Sequence, residues 1–191
     1  MNTNKESLAS RTRFLTLLLF ISFSVHAKFM VEPFYKSYQG EFKRGTEKGV
    51  IDGQVYGLNT GYLGDYFMMG LTFENGQFQS DAELTADGYE KYTGGGIGSY
   101  LGFHFLDRYK LWTGYLNSAI QPTNNKDYRL FGQHVTFGLG YRVYQGLIFN
   151  VEGFRNQFTQ QEDDVTGKTT GLDTNIKTQG TAYFLSYFLV F

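Results

Sequence analysis

The last eleven residues, Thr181-Ala182-Tyr183-Phe184-Leu185-Ser186-Tyr187-Phe188-Leu189-Val190-Phe191, carry the pattern that decides the fold. Successive side chains of an extended strand point to opposite faces. Thr181, Tyr183, Leu185, Tyr187, Leu189 and Phe191 therefore make one oily, aromatic face, with Gly180, Ala182, Ser186 and Phe188 behind it. The same rule recurs upstream. Ile97, Leu101, Phe103 and Phe105 oppose Gly94, Gly96, Gly98, Gly102 and His104, while Val135, Phe137, Leu139, Tyr141 and Val143 oppose His134, Thr136, Gly138, Gly140 and Arg142. Phe67, Met69, Leu71 and Phe73 alternate with Gly70, Thr72 and Glu74. Helical periodicity is absent from these segments.

Adding the less regular stretches gives eight strands, near 29–39, 51–63, 66–75, 93–105, 109–119, 131–143, 147–158 and 180–191. Their connections alternate. Residues 64–65, 106–108 and 144–146 make tight turns, whereas 40–50, 76–92, 120–130 and 159–179 are long and would all fall on one rim. In hydrocarbon no backbone N–H or C=O can stay unpaired, so strands cross a bilayer only as a closed barrel whose side chains alternate between lipid and lumen. A strand of about 11 residues tilted by about 40° covers roughly 27 Å along the normal, close to the apolar band of such barrels. The expected fold is all-β, an eight-stranded antiparallel up-and-down transmembrane β-barrel. Aromatic residues such as Tyr62, Phe105, Tyr109, Tyr141 and Phe191 would ring the short-turn interface. Eight strands leave an interior just wide enough for side chains, so glycines such as Gly57, Gly114, Gly138 and Gly140 would make room for larger lumen groups.

Composition removes other classes. With 191 residues, 24 of them Gly, two Pro and no Cys, the chain suits one domain and excludes a disulfide scaffold, a zinc ribbon and a thiol enzyme. Lys+Arg 17 against Asp+Glu 18 leaves no basic excess, and nucleic acid is not an expected partner. Residues 1–27 read as a secretory signal peptide: Lys5, Arg11 and Arg13 precede the apolar run Phe14–Val25, and Val25-His26-Ala27 fits a cleavage site. Residues 28–191 would then form the barrel domain.

From these residues the chain resembles the small eight-stranded outer-membrane β-barrel proteins of Gram-negative bacteria, of the OmpX, OmpW and OmpA-transmembrane kind. The resemblance covers residues 28–191, and its most specific element is the closing run: Tyr183, Leu185, Tyr187, Leu189 and Phe191 look like the C-terminal signal that this family presents to the barrel-insertion machinery. It implies a bacterial outer-membrane location, both chain ends in the periplasm, and outer-membrane lipid and lipopolysaccharide as surroundings. Unlike the OmpA kind, no further domain is expected after Phe191. Activity does not transfer with the fold.

Lumen positions carry charge. Glu32, Lys36, Glu74, His104, Arg142 and Glu152, with His134 higher up, are expected to form a structural polar network, since buried charges must be paired and hydrogen-bonded. Trp112 remains open between lumen filler and interface anchor. The expected role is a non-enzymatic structural or surface interaction through four long loops, with no cofactor and no metal; Glu162-Asp163-Asp164 reads as a solvated turn rather than a calcium loop. Lys43, Arg44 and Lys48 could meet lipopolysaccharide phosphates. Two alternatives stand beside this. One is an OmpW-like carrier of small hydrophobic molecules, its lumen lined by Phe34, Phe154, Phe184 and Phe188. The other is an outer-membrane lipid-modifying enzyme using His134 with Ser118 and Asp127.

Overall fold

The computed structural model describes residues 28–80, 91–123 and 127–191. The expected signal segment 1–27 and parts of the connections 76–92 and 120–130 lie outside the described residues. The strands are β1 (Lys28–Arg44), β2 (Glu47–Leu63), β3 (Phe67–Ser80), β4 (Lys91–Phe105), β5 (Tyr109–Pro122), β6 (Tyr128–Tyr144), β7 (Leu147–Asp163), β8 (Lys168–Tyr187) and β9 (Leu189–Val190). Strands β1 to β8 each pair antiparallel with their chain neighbours, and β1 pairs with both β2 and β8, which closes the ring. β9 continues β8 past Phe188 along the same edge of β1, so the barrel has eight staves.

The register fixes the geometry. From Lys28 the partners run through Leu63, Met68, Gly102, Trp112, Gly138, Glu152 and Ala182, and return to β1 at Tyr38, ten residues further on. A ten-residue stagger over eight strands tilts them by about 40° and leaves only a narrow axial space.

The outer face of the lower barrel is oily. Tyr35, Tyr56, Leu71, Leu101, Phe137 and Leu185 all stand exposed on it. At the short-turn rim Phe105 stacks on Tyr109 at 5.5 Å and Tyr109 meets Tyr141 at 5.2 Å, the girdle expected at a headgroup boundary. The inner face is filled by two apolar clusters. One gathers Met30, Phe34, Tyr38, Met68, Trp112, Phe154 and Phe184 around mid-barrel; the other gathers Phe42, Ile51, Tyr92, Leu130, Phe158 and Ile176 toward the opposite rim.

One expectation is corrected here. Among the described residues, connections read as long loops prove to be largely strand, most fully in 40–50 and 159–179: β1 and β2 run up to a two-residue turn at Gly45-Thr46, with Gly45 in the left-handed region at φ 59°. Strand β8 begins at Lys168 rather than near 180. The short-turn ends fall within a residue or two of expectation. Apolar alternation stops where hydrocarbon stops, but the hydrogen-bond ladder does not, so the sequence signal ends before the strand does.

Candidate functional site

Mid-barrel, the lumen face of every strand points at one axis, and the polar side chains there solve each other's desolvation. Lys36 on β1 donates to Glu152 Oε1 at 3.0 Å and to Glu74 Oε2 at 3.4 Å. Glu74 also meets His134 Nδ1 at 3.1 Å. Glu152 takes a second donor, the Trp112 indole N–H, at 3.2 Å. Just below, Lys110 pairs with Glu32, which also accepts from Ser186 at 2.5 Å and from Asn59 at 3.1 Å. Thr72 donates to Asn59 Oδ1 at 2.8 Å. The Lys36 ammonium lies 4.6 Å from the Phe34 ring centroid and 5.1 Å from that of Phe184, so its hydrocarbon surroundings add cation–π attraction. Three carboxylates, two ammonium groups and one imidazole thus interlock inside the apolar cluster.

Five of the residues expected here, Glu32, Lys36, Glu74, His134 and Glu152, are brought together. His104 and Arg142 are not. Both face inward but lie at the short-turn mouth, where His104 Nε2 is 2.7 Å from the Gly64 carbonyl and Arg142 lies 5.9 Å from the Phe188 ring. Lys110 was missed, and Trp112, left open in sequence, fills the lumen with the Lys110 ammonium 4.7 Å from its ring. Asn59, Thr72 and Ser186 were also unforeseen. Their signal was available only through the register, which places them on the lumen face opposite charged partners.

Little empty space remains. The cavity beside the network measures about 10 Å³, at most one water. Phe34 and Phe184 pack at 5.8 Å, and Tyr38 and Phe154 at 4.7 Å, so these rings fill the mid-lumen; Phe188 packs against the cluster and also lines a cavity at the short-turn mouth. His134 Nε2 and Ser118 Oγ are both buried without a hydrogen-bond partner and are not bonded to each other. The acidic run is engaged locally: Asp163 accepts from the Val165 and Thr166 N–H groups at 2.9 Å each, while Asp164 meets Arg129 and Gln121 at 3.1 Å. Those backbone donors, Thr166 first, hold the Asp163 carboxyl below its usual 3.8.

The outer wall beyond the oily belt is polar. On β1 the outward series passes from Phe29, Val31, Pro33 and Tyr35 to Ser37, Gln39, Glu41 and Lys43. In register Lys43 sits directly opposite Lys48 on one side and Lys177 on the other, and all three are exposed. At about 2.5 Å of height per tilted residue, this row stands roughly 20 Å above Tyr35 on β1. Tyr183, Leu185, Tyr187, Leu189 and Phe191 line the belt, and Phe191 and Phe29 exchange backbone hydrogen bonds at 2.9 and 3.2 Å, which ties the chain end to the first strand.

No family model matches the sequence, and no curated protein matches it. Solved structures do. The chain is similar to Neisserial surface protein A, NspA, at 11% identity and a TM-score of 0.53, over 84% of this chain and 97% of that one. It is similar also to Ail, the attachment invasion locus protein of Yersinia pestis, at 10% identity and a TM-score of 0.50, over 86% of this chain and all of that one. At such identities the likeness is one of fold. The chain has the eight-stranded antiparallel barrel of small outer-membrane proteins.

Proposed function

We propose that the protein is an integral outer-membrane barrel with a plugged lumen that acts in a structural and surface-interaction role, its partner being lipopolysaccharide. The observation that carries this reading is the change of polarity along the outer wall. Oily residues occupy the lower barrel, and the strands continue upward bearing Gln39, Glu41, Gln54 and Gln77 before reaching the lysine row. Like charges set directly across strands repel, so Lys48, Lys43 and Lys177 favour an anionic companion. Phosphates of a lipid whose sugar core projects beyond the headgroups come within reach of that height.

The test is binding of lipopolysaccharide to the full chain in nonionic detergent. A Lys43→Gln/Lys48→Gln/Lys177→Gln variant should bind about tenfold or more weakly, and its loss should match that caused by dephosphorylating the lipid. Removing mutual repulsion should leave the variant at least as stable, so folding failure is not confounded with lost binding. Equal affinity of variant and wild type for the phosphorylated lipid overturns the assignment of the row. Neither the carrier nor the enzyme alternative gains an observation of its own, because the described mid-lumen has no room for a ligand beside Phe34, Phe154 or His134.

A further inference from the structure

The short-turn mouth differs from the rest of the lumen. There Lys28, His104, Arg108, Lys110 and Arg142 line a cavity of about 270 Å³, and among the described residues the one side-chain carboxylate lining it is that of Asp107. Lys110 is taken by Glu32, and His104 by the Gly64 carbonyl. Among the described residues, none of Lys28, Arg108 and Arg142 has a carboxylate within ion-pairing distance. The Arg142 Nε has no solvent access and no acceptor, an expensive state for a guanidinium N–H.

Local backbone holds these cations together. Leu106 and Asp107 both take φ 53°, the left-handed centre of a β-turn closed by Arg108 N–H to Phe105 O at 3.3 Å within the three-residue connection 106–108. The Arg142 N–H donates to the Arg108 carbonyl at 2.7 Å, and Arg108 Nη1 to the Tyr141 hydroxyl at 3.3 Å. The two arginines are thus joined through backbone, with the Arg108 guanidinium turned toward the outer girdle and Lys28 on β1 lining the same mouth as Arg142.

We infer that this mouth is a binding site for a phosphate-bearing anion. Guanidinium forks take phosphate oxygens in pairs. A phosphate dianion carries more charge than a carboxylate and offers more acceptor oxygens to Arg142 and Lys28, while the exposed Arg108 guanidinium, already on the Tyr141 hydroxyl, adds positive field at the rim. The floor of the site is the Glu32–Lys110 pair, so the anion stays at the rim and does not enter the plugged lumen. This inference is independent of the lysine row at the opposite end.

Isothermal titration of inorganic phosphate onto the full barrel, folded in nonionic detergent, tests it. Wild type should bind phosphate at least about tenfold more tightly than acetate. Arg142→Gln should weaken phosphate by about tenfold or more, and Lys28→Gln, at an exposed position that disturbs no packing, should weaken it in the same direction. The Lys43→Gln/Lys48→Gln/Lys177→Gln variant, which lacks the row at the opposite end, should retain a phosphate site that adding Arg142→Gln to it removes. Repeating the titration in phosphatidylcholine discs with and without phosphatidylglycerol identifies the source: suppression by the anionic lipid makes the ligand a headgroup, and unchanged binding makes it a free phosphate. Wild-type binding no tighter than that of Arg142→Gln and Lys28→Gln, with both variants folded, overturns the inference.

Discussion

Lys36 stands between Glu152 and Glu74 with no solvent to share the load. Removing one member of a buried pair leaves the other uncompensated, and Lys36→Met leaves two carboxylates facing an apolar cluster. The expected loss is about 3–5 kcal/mol in urea unfolding from lipid vesicles, whereas Glu152→Gln should cost less because its amide oxygen still accepts from Trp112. Trp112 is the chain's single tryptophan, so its fluorescence reports the lumen alone. A Cβ at Gly138 would fall on the indole ring, and Gly138→Ala should cost about 1–3 kcal/mol while changing that emission; an unaltered spectrum and stability would show that the ring does not occupy the space the glycine leaves. These two residues also show why the network was half legible. Glu32, Lys36 and Glu152 stood out as charges on clean lumen faces. In β5, Trp112, Leu116 and Ile120 face in while Leu111 and Tyr115 face out, so neither face looked polar and Lys110 was hidden.

At the level of the hairpin, strands outlast their oily sequence. Tyr35 ends the apolar series on β1 although pairing continues to Arg44, and β8 is paired from Lys168 through polar residues that give no alternation of hydropathy. Short-turn ends were readable because hydrocarbon and turn chemistry stop there together. The tip of β7–β8 is held by Asp163, whose carboxyl lies below its ordinary 3.8 through the Thr166 and Val165 N–H bonds. A depressed value means that the charged form is favoured by folding. Its contribution is complete above the ordinary aspartate range and disappears as the pH falls through the depressed value. Asp163→Ala should speed amide exchange at residues 165–167 at neutral pH and leave barrel unfolding unchanged; unaltered exchange there would remove the turn-holding role.

Over the whole molecule, ring closure and plug act together. Pairing of β1 with β8 leaves no open edge in the paired region, and detergent-folded protein should migrate faster unboiled than boiled on electrophoresis, whereas identical bands would contradict a closed barrel. Ions crossing the axis would meet the Glu32–Lys110 and Lys36 pairs and then the second apolar cluster. Planar bilayers containing the protein should therefore show no steady single-channel steps, and regular steps would require the plug to open. Fold class and closure were legible because a bilayer imposes one rule on every strand. The mouth site was not, because it arises where β4, β5, β6 and β1 converge, and only the stagger brings Lys28 near Arg142.

The upper cluster around Phe42, Tyr92, Leu130 and Ile176 has a consequence for how the protein meets two solvents. Below, grease is worn on the skin; above, the same staves carry it at heart, as a water-soluble domain does. Among the described residues the collar is then a folded body rather than a fringe of tethers, and a protease acting on the detergent-folded barrel should leave its paired strands uncut.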